Sequence, residues 1–312
     1  MAEVTPSDAR AYAPVAGERG PVARLNELAS GTWRFLTRDR FALAGILIYA
    51  FFIIVAILAP VIAPFNPQAI LADAQGNWLA NQPPSADFWL GTTNVGRDIF
   101  SQLVYGTRAA LTVGFTAAFF VALIGTLVGL VAGYYGGWVD NLLMRLTDIA
   151  FGIPFEPFVI ILVAFLKPNL WNIVAAMAFL LWRDTARVIR SQVLTVRERS
   201  FVEAARVSGA SNARIMFLYI APNILPLSFL YGSLAVGWAI LTEAAISFLG
   251  FGDPRVVSWG FMLNDAYISQ AMSRGAYYWI VPPGVCIMLA VMAGFFIGRG
   301  YEEILFPRLR ER

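Results

Sequence analysis

Histidine, cysteine and lysine, which enzymes use for acid–base, nucleophilic and metal chemistry, are nearly missing from this sequence. It contains no histidine, one cysteine (Cys286) and one lysine (Lys167). These counts exclude Ser–His catalytic triads, His-based metal ligands, internal disulfides and cysteine-rich metal sites. Because a proline follows Lys167, a phosphate-binding loop of the form G-x-x-x-x-G-K-[ST] is excluded as well. We therefore expect a chain that is not an enzyme and binds no cofactor itself.

Two glutamates lie in otherwise apolar stretches, and each is a candidate for lining a transport pathway. Glu156 lies between Pro154 and Pro157, near the middle of a predicted membrane span. An ionisable side chain at that depth costs about 3 kcal/mol, which makes it a functional candidate. The alternative for Glu156 is a water-facing position beside a kink. Glu243 lies in another predicted span, where the alternative is a structural hydrogen bond to a neighbouring helix.

The rest of the sequence is apolar enough to place both glutamates in a membrane. Of the 312 residues, 58% are hydrophobic and 14% are charged, whereas soluble domains carry about 25% charged residues. Several apolar runs reach about 20 residues, the length that crosses a hydrocarbon core. We therefore predict an all-α polytopic membrane protein with six transmembrane helices, at residues 41–63, 108–133, 141–166, 169–190, 222–250 and 279–299. The prolines at 154 and 157 should kink the third span.

The positive charges indicate the orientation of these spans. Most of the 23 Lys and Arg residues fall on the side that carries both termini. Because Lys and Arg concentrate in cytoplasmic loops, we expect both termini in the cytoplasm of a prokaryote and the chain as a multi-pass protein of its inner membrane. Orientation also explains the net charge of +3 and the pI of about 9.1, so no nucleic-acid partner is expected.

The same reasoning divides the chain into five parts. Trp33, Phe35 and Leu36 among arginines suggest an interfacial helix before the first span, and no cleavable signal peptide is expected. The predicted parts are a cytoplasmic N-terminal tail with that interfacial helix at 1–40, a first transmembrane helix at 41–64, an extracytoplasmic loop at 65–107, a five-helix transmembrane core at 108–300 that includes a cytoplasmic loop at 197–215, and a cytoplasmic C-terminal tail at 301–312.

The stretch "SFVEAARVSGASNARI", residues 200–215, interrupts the apolar spans with small and charged residues. Ser200 and Glu203 have the spacing of a capping box, so we predict a helix that starts at Ser200. Gly209 is placed to end that helix, and Ser211 to cap a second one. The bend between the two is expected to expose small residues to a partner protein: Ala204, Ala205, Gly209 and Ala210. The alternative is an ordinary loop, since such caps are common.

The longer stretch "EAARVSGASNARIMFLYIAPN" resembles the cytoplasmic EAA loop of importer-type ABC transporter permeases. Glu203 and Gly209 match that pattern, as does the closing Pro222, whereas Tyr219 and Ala221 depart from the usual Ile and Leu. The resemblance implies coupling helices that dock on an ATPase subunit. The coupling residues it implies are Ser200, Glu203, Ala204, Ala205, Arg206, Gly209, Ala210 and Ser211.

Three further blocks resemble the dipeptide/oligopeptide/nickel group of these permeases. They are "LGTTNVGRDIFSQLVYGTR" at 90–108, "GYYGGWVDNLLMRLTDI" at 133–149 and "EAAISFLGFG" at 243–252. In the first block, Thr93 replaces the usual Asp and Gln102 replaces an Arg. The resemblance covers roughly residues 40–310. It is strongest to the C-type subunit, which carries the external block after its first span.

The resemblance implies a fold and a set of partners. The fold is the type I importer permease, with six transmembrane helices and cytoplasmic coupling helices. The partners are a second homologous permease, two ABC ATPase subunits that bind ATP and Mg, an extracytoplasmic substrate-binding protein and membrane lipid. The implied cargo is dipeptides or oligopeptides, with nickel chelates or oligosaccharides as alternatives.

Two other classes of protein compete with this interpretation. A nucleotide-independent secondary transporter would need broken helices in repeat symmetry and buried coupling charges, and no internal repeat is detected in the sequence. A membrane enzyme would need a constellation of catalytic groups, which the residue counts above argue against.

Overall fold

The computed structural model describes residues 39–305, so the predicted interfacial helix and the end of the C-terminal tail lie outside the described residues. The described part is helical. Its elements are α1 Arg40–Ile62, α2 Ile99–Tyr135, α3 Gly137–Gly152, α4 Phe155–Leu166, α5 Leu170–Val196, α6 Ser200–Val207, α7 Asn212–Phe248, α8 Trp259–Ile268 and α9 Tyr277–Leu305. The predicted all-α polytopic class is confirmed.

The membrane spans fall into three kinds. Helices α1, α2, α7 and α9 are each long and apolar enough to cross a membrane. Helices α3 and α4 meet at an angle of 83°, and the bent pair has the combined length and apolar composition of a fifth segment that could enter the membrane. Helix α5 has 27 residues, enough to cross, but its second half carries several charges. These six segments correspond to the six predicted spans, although length and composition alone identify only four or five of them within residues 39–305.

Two helices begin earlier than the apolar pattern predicts. Helix α2 begins at Ile99 and not at residue 108, because Asp98 caps it: the Ser101 N–H donates to the Asp98 carboxylate at 2.7 Å. Residues 99–107 are therefore helical and do not belong to the loop. Helix α7 begins at Asn212, about ten residues before the predicted span. In both cases a polar cap, which hydropathy does not detect, sets the start of the helix.

The third span breaks at its first proline only. The helix ends at Gly152, and Pro154 then occupies the cap position of α4. Pro157 lies in the first turn of α4, where a missing N–H is tolerated, so it causes no second kink. The break is held by α5, where the Arg183 guanidinium donates to the carbonyls of Ala150 and Ile153.

Further pairs between α3 and α5 fix the orientation of α3. Arg190 makes a two-point contact with Asp140, with both N–O distances at 2.5 Å. One turn from it, Arg187 contacts Asp148 at 2.9 Å. The charged half of α5 thus serves as an attachment surface for α3, which explains why this span is less apolar than the others.

A glycine face allows α2 and α5 to pack closely. Gly125, Gly129 and Gly133 of α2 lie against α5, and a Cβ atom at Gly129 would lie 2.6 Å from the carbonyl oxygen of Ala186. Small residues at four-residue spacing allow such backbone contact between membrane helices. This glycine face therefore packs within the subunit.

The loop between α1 and α2 contains two turns of the same construction. The carboxylate of Asp73 accepts from the N–H groups of residues 75 and 77, and the hydroxyl of Thr93 accepts from those of residues 95 and 97. Each turn contains a glycine at positive φ, Gly76 or Gly96. Thr93 therefore makes the hydrogen bonds that an aspartate makes in the other turn. This explains how the turn accommodates a threonine where the permeases that this sequence resembles usually have an aspartate.

The glycine face yields a stability prediction. Replacing Gly129 with leucine should force α2 away from α5 and destabilise the protein by about 2 kcal/mol, as overpacking typically does. The thermal unfolding midpoint of the purified chain in detergent measures the change. Gly284→Ala is the matched control, because Gly284 is a helical glycine with open space around it. An equal midpoint for Gly129→Leu and the control would contradict this packing.

Candidate functional site

Residues 197–215, from the end of α5 to the first turn of α7, form an elbow. It consists of α6, a four-residue turn and the first turn of α7. Helix α6 is amphipathic: Val202 and Ala205 are buried, whereas Glu203 and Arg206 are exposed. One side of this short helix therefore packs on the protein, and the other faces away from it.

The predicted capping box at the start of α6 is wrong, although the helix does begin at Ser200. Arg199 occupies the cap position, and its side chain makes no capping hydrogen bond. Ser200 is the first helical residue, so its hydroxyl lies too far along the helix to cap it. Glu203 remains in the first turn, where its negative charge favours the positive end of the helix dipole.

The predicted turn is confirmed in detail. Gly209 has φ of +78°, the left-handed region that favours glycine. Its N–H donates to the carbonyl of Arg206, and the N–H of Ala210 donates to the carbonyl of Ala205, at 3.0 and 3.1 Å. These two bonds form a Schellman motif. Ser211 then caps α7 by accepting from the Arg214 N–H at 3.3 Å.

The buried side of the elbow belongs to the same apolar cluster as three long helices. Val202 and Ala205 pack with Leu130 of α2, Val193 of α5 and Ile215 of α7. Two polar contacts support this attachment. The Arg197 guanidinium donates to the carbonyl of Gly133, and the Tyr134 hydroxyl contacts the Asn212 side chain, both at 2.8 Å. A force applied to the elbow therefore reaches α2, α5 and α7 together.

The exposed surface differs from the predicted one at two positions. Ala204 and Gly209 are exposed as expected. Ala205 is buried and Ala210 is half-buried, because both face the apolar cluster. We name the exposed set Glu203, Ala204, Arg206, Val207 and Gly209 the elbow tip.

Sequence reasoning missed Val207, which is 90% exposed. Its helical spacing could have indicated this exposure. Val207 lies five residues after Val202 and therefore faces away from the side of the helix that Val202 buries.

A π-helix follows the elbow, and the sequence did not predict it. It covers Ile215–Ile220, and the N–H of Ala221 donates to the carbonyl of Met216, five residues back. Pro222 supplies a physical reason, because it has no N–H for the carbonyl of Leu218 and a local widening adjusts for that loss. The Asn223 side chain donates to the carbonyl of Tyr219 at 2.6 Å.

The two glutamates that the sequence places in predicted spans occupy different environments. Glu243 is 1% exposed and accepts a hydrogen bond from the Ser247 hydroxyl, one turn along the same helix, at 2.6 Å. This enclosed, hydrogen-bonded position is the one that the structural alternative describes. Glu156 is exposed in the first turn of α4, directly after the 83° break. It therefore lies at the joint between α3 and α4 and not within a continuous helix.

The comparisons with known proteins match this arrangement. A family model described as "Binding-protein-dependent transport system inner membrane component" matches residues 125–311, which include the elbow. The chain belongs to this family of ABC transporter permease subunits. A second model, "N-terminal TM domain of oligopeptide transport permease C", matches residues 28–84.

Full-length relatives agree with both family models. The chain is 38% identical to the dipeptide transport system permease protein DppC of Alkalihalophilus pseudofirmus, with 88% of each chain covered. It is 33% identical to the oligopeptide transport system permease protein OppC of Bacillus subtilis, with 96% of this chain and 97% of that protein covered. It is 35% identical to the glutathione transport system permease protein GsiD of Escherichia coli, with 89% and 90% covered.

The Schellman turn yields a second prediction. Gly209→Val should destabilise the turn, because a β-branched residue at positive φ is strained by about 1–2 kcal/mol, whereas Gly209→Asn should be tolerated. No atom lies within 4 Å of a Cβ built at Gly209, so the comparison isolates backbone strain. Hydrogen exchange at the Ala210 amide measures it: we expect faster exchange in the valine variant only. Equal protection in both variants would contradict the assignment.

Proposed function

We propose that this chain is the permease subunit of an ATP-driven importer that takes up peptides. It forms the translocation pathway together with a second, homologous permease. The relatives named for dipeptide, oligopeptide and glutathione transport support a peptide cargo over nickel chelates or oligosaccharides. Their similarity extends over nearly the whole chain. It therefore includes both the loop between α1 and α2 and the elbow.

The observation that carries the proposed mechanism is the two-sided elbow. Its tip is exposed, and its buried side is fixed to α2, α5 and α7. An ATPase subunit docks on the tip, and closure of the ATPase pair moves the elbow and the three helices as one unit. ATPase closure and helix movement are coupled in this way because the elbow makes different contacts in the open and closed states of the ATPase pair. ATP and Mg are bound by the two ATPase subunits, and this chain contributes no ATPase site.

The orientation follows from the same assignment. The elbow and both termini face the cytoplasm, and the chain lies in the inner membrane. Arg197, Arg199, Arg206 and Arg214 surround the elbow, in agreement with the enrichment of arginine in cytoplasmic loops. The loop between α1 and α2 then faces outside, where an extracytoplasmic binding protein delivers the cargo.

Glu156 is the proposed pathway residue of this chain. It is exposed at the joint between α3 and α4, and a broken helix that lines a cavity is a common way to build a transport path in a membrane. Glu243 is assigned a packing role, because its carboxylate is enclosed and bonded to Ser247.

Changing the elbow tip should uncouple the ATPase subunits from the permease. Gly209→Glu and Glu203→Lys each introduce a side chain or a charge that the docked ATPase must accommodate, so we expect at least about a tenfold loss of ATP-dependent uptake. Membrane insertion should be unchanged. The measurements are co-purification of the ATPase and uptake in proteoliposomes.

Matched controls separate docking from general damage. Gly137→Glu places the same side chain at another exposed glycine of positive φ with no neighbour within 4 Å. Glu302→Lys reverses an exposed charge outside the elbow. Both controls should keep wild-type uptake. Wild-type uptake in the two tip variants would refute the docking role, and uptake without nucleotide would favour a secondary transporter.

Neutralising Glu156 tests the pathway. Glu156→Gln keeps the size of the side chain and removes its charge, so we expect lower peptide uptake with normal ATPase co-purification. Glu243→Gln serves as the comparison and should affect the thermal unfolding midpoint more than uptake. If Glu156→Gln left both the rate and the peptide preference unchanged, the residue would not line the pathway.

A further inference from the structure

A cavity of about 600 Å³ lies where α1 ends and α2 begins. Three separate parts of the chain enclose it: residues 60–68 at and after the end of α1, one face of α2, and residues 255–257 after α7. The Gln68 side chain donates to the carbonyl of Arg255 at 2.7 Å and joins the first part to the third. None of the proposed coupling or pathway residues lines this cavity.

Two guanidinium groups line the cavity, and each is held in place from one side. Arg108 donates through Nε to the carbonyl of Ala56 at 2.7 Å and lies 5.1 Å from the centre of the Tyr105 ring. Arg255 donates through Nε and one terminal nitrogen to Asp253 at 3.0 and 2.9 Å. Among the described residues, both terminal nitrogens of Arg108 and one of Arg255 have no hydrogen-bond partner.

The charge balance of the cavity is positive. Its described lining contains two arginines and no carboxylate. The Asp253 side chain is 4% exposed and that of Arg255 is 73% exposed, so Asp253 lies behind Arg255 and neutralises only that residue. Hydrogen bonding from Arg255 lowers the pKa of Asp253, which keeps this carboxylate charged at neutral pH. Arg108 then supplies an unneutralised positive charge, and the fixed N–H groups match an oxyanion.

The length of α1 indicates that the cavity lies at the depth of lipid headgroups. Helix α1 has 23 residues and is about 35 Å long, slightly more than the thickness of the hydrocarbon core. Pro60 and Ala63, at its end, line the cavity. On the same last turns, Ile57 and Val61 are 67% and 81% exposed, which is the exposure expected of residues that face acyl chains.

We propose that this cavity binds the phosphate of an anionic phospholipid headgroup at the membrane surface where α1 ends. Arg108 and Arg255 hold the phosphate oxygens, and the acyl chains lie along Ile57 and Val61. The exposed apolar face beside the two arginines favours a lipid over a small soluble anion, which would need no such face. The bound lipid links α1, α2 and the segment after α7 at this surface.

The test uses the full-length chain with its partner subunits, purified in mild detergent and depleted of lipid. Phosphatidylglycerol or phosphatidylcholine is added, and retained lipid is counted by native mass spectrometry. Wild type should retain phosphatidylglycerol preferentially. Arg108→Gln should weaken retention about tenfold, since basic side chains at a membrane surface contribute strongly to binding anionic lipid. Arg108→Lys keeps the charge but not the fork of N–H groups, and should give an intermediate loss.

The controls keep the outcome interpretable. The double change Asp253→Asn with Arg255→Gln removes both partners of the pair together, so it avoids an unpaired carboxylate, and it should also weaken retention. Arg274→Gln removes an arginine that bonds to Asn81 and does not line the cavity, and should have no effect. Inorganic phosphate alone should not raise the thermal midpoint.

Three results would overturn the proposal: equal retention of the two lipids, unchanged retention in the Arg108 variants, or full stabilisation by inorganic phosphate alone. The last result would assign the cavity to a small anion. These outcomes are independent of the transport proposal, because the elbow-tip variants should lose uptake while retaining lipid.

Discussion

Two side chains of α6, Val202 and Ala205, are buried against α2, α5 and α7 while the opposite side of the same short helix is open. Burial of a valine side chain contributes about 1.5–3 kcal/mol, so this contact keeps the elbow fixed to the spans. Without it, an exposed tip would move independently and could transmit nothing. The glycine face of α2 strengthens the connection, because it brings α2 and α5 close enough to share that apolar cluster.

The backbone on either side of the elbow is constrained in two ways. The Schellman turn at Gly209 fixes the angle between α6 and α7, and the π-helix Ile215–Ile220 adjusts α7 to the proline that follows. The charged half of α5 meanwhile holds α3 through Arg190 and Asp140. The exposed joint at Glu156 and the elbow therefore connect to the same helix, α5, at different levels.

Sequence patterns predicted the features that depend on local chemistry. Apolar length located the spans, and the left-handed glycine and the Ser211 cap located the bend. The patterns failed where distant contacts decide. Ala205 is buried because other helices cover it, and arginines of α5 pair with aspartates of α3 that are distant in the sequence. The early start of α2 was missed for a local reason, because its Asp98 cap lies in a polar stretch outside the apolar pattern that located the spans. The capping box failed because the helix begins at Ser200 itself, so Arg199 and not the serine occupies the capping position.

The most direct test of the central claim, that the elbow tip is the docking surface of the ATPase, is site-directed cross-linking at Val207. In a Cys286→Ser background, Val207→Cys would carry the single thiol of the chain. We predict a cross-link to the ATPase subunit whose yield changes between nucleotide-free and ATP-bound states, and no labelling of intact cells by a membrane-impermeant thiol reagent. Labelling from outside, or no cross-link in any nucleotide state, would contradict the account.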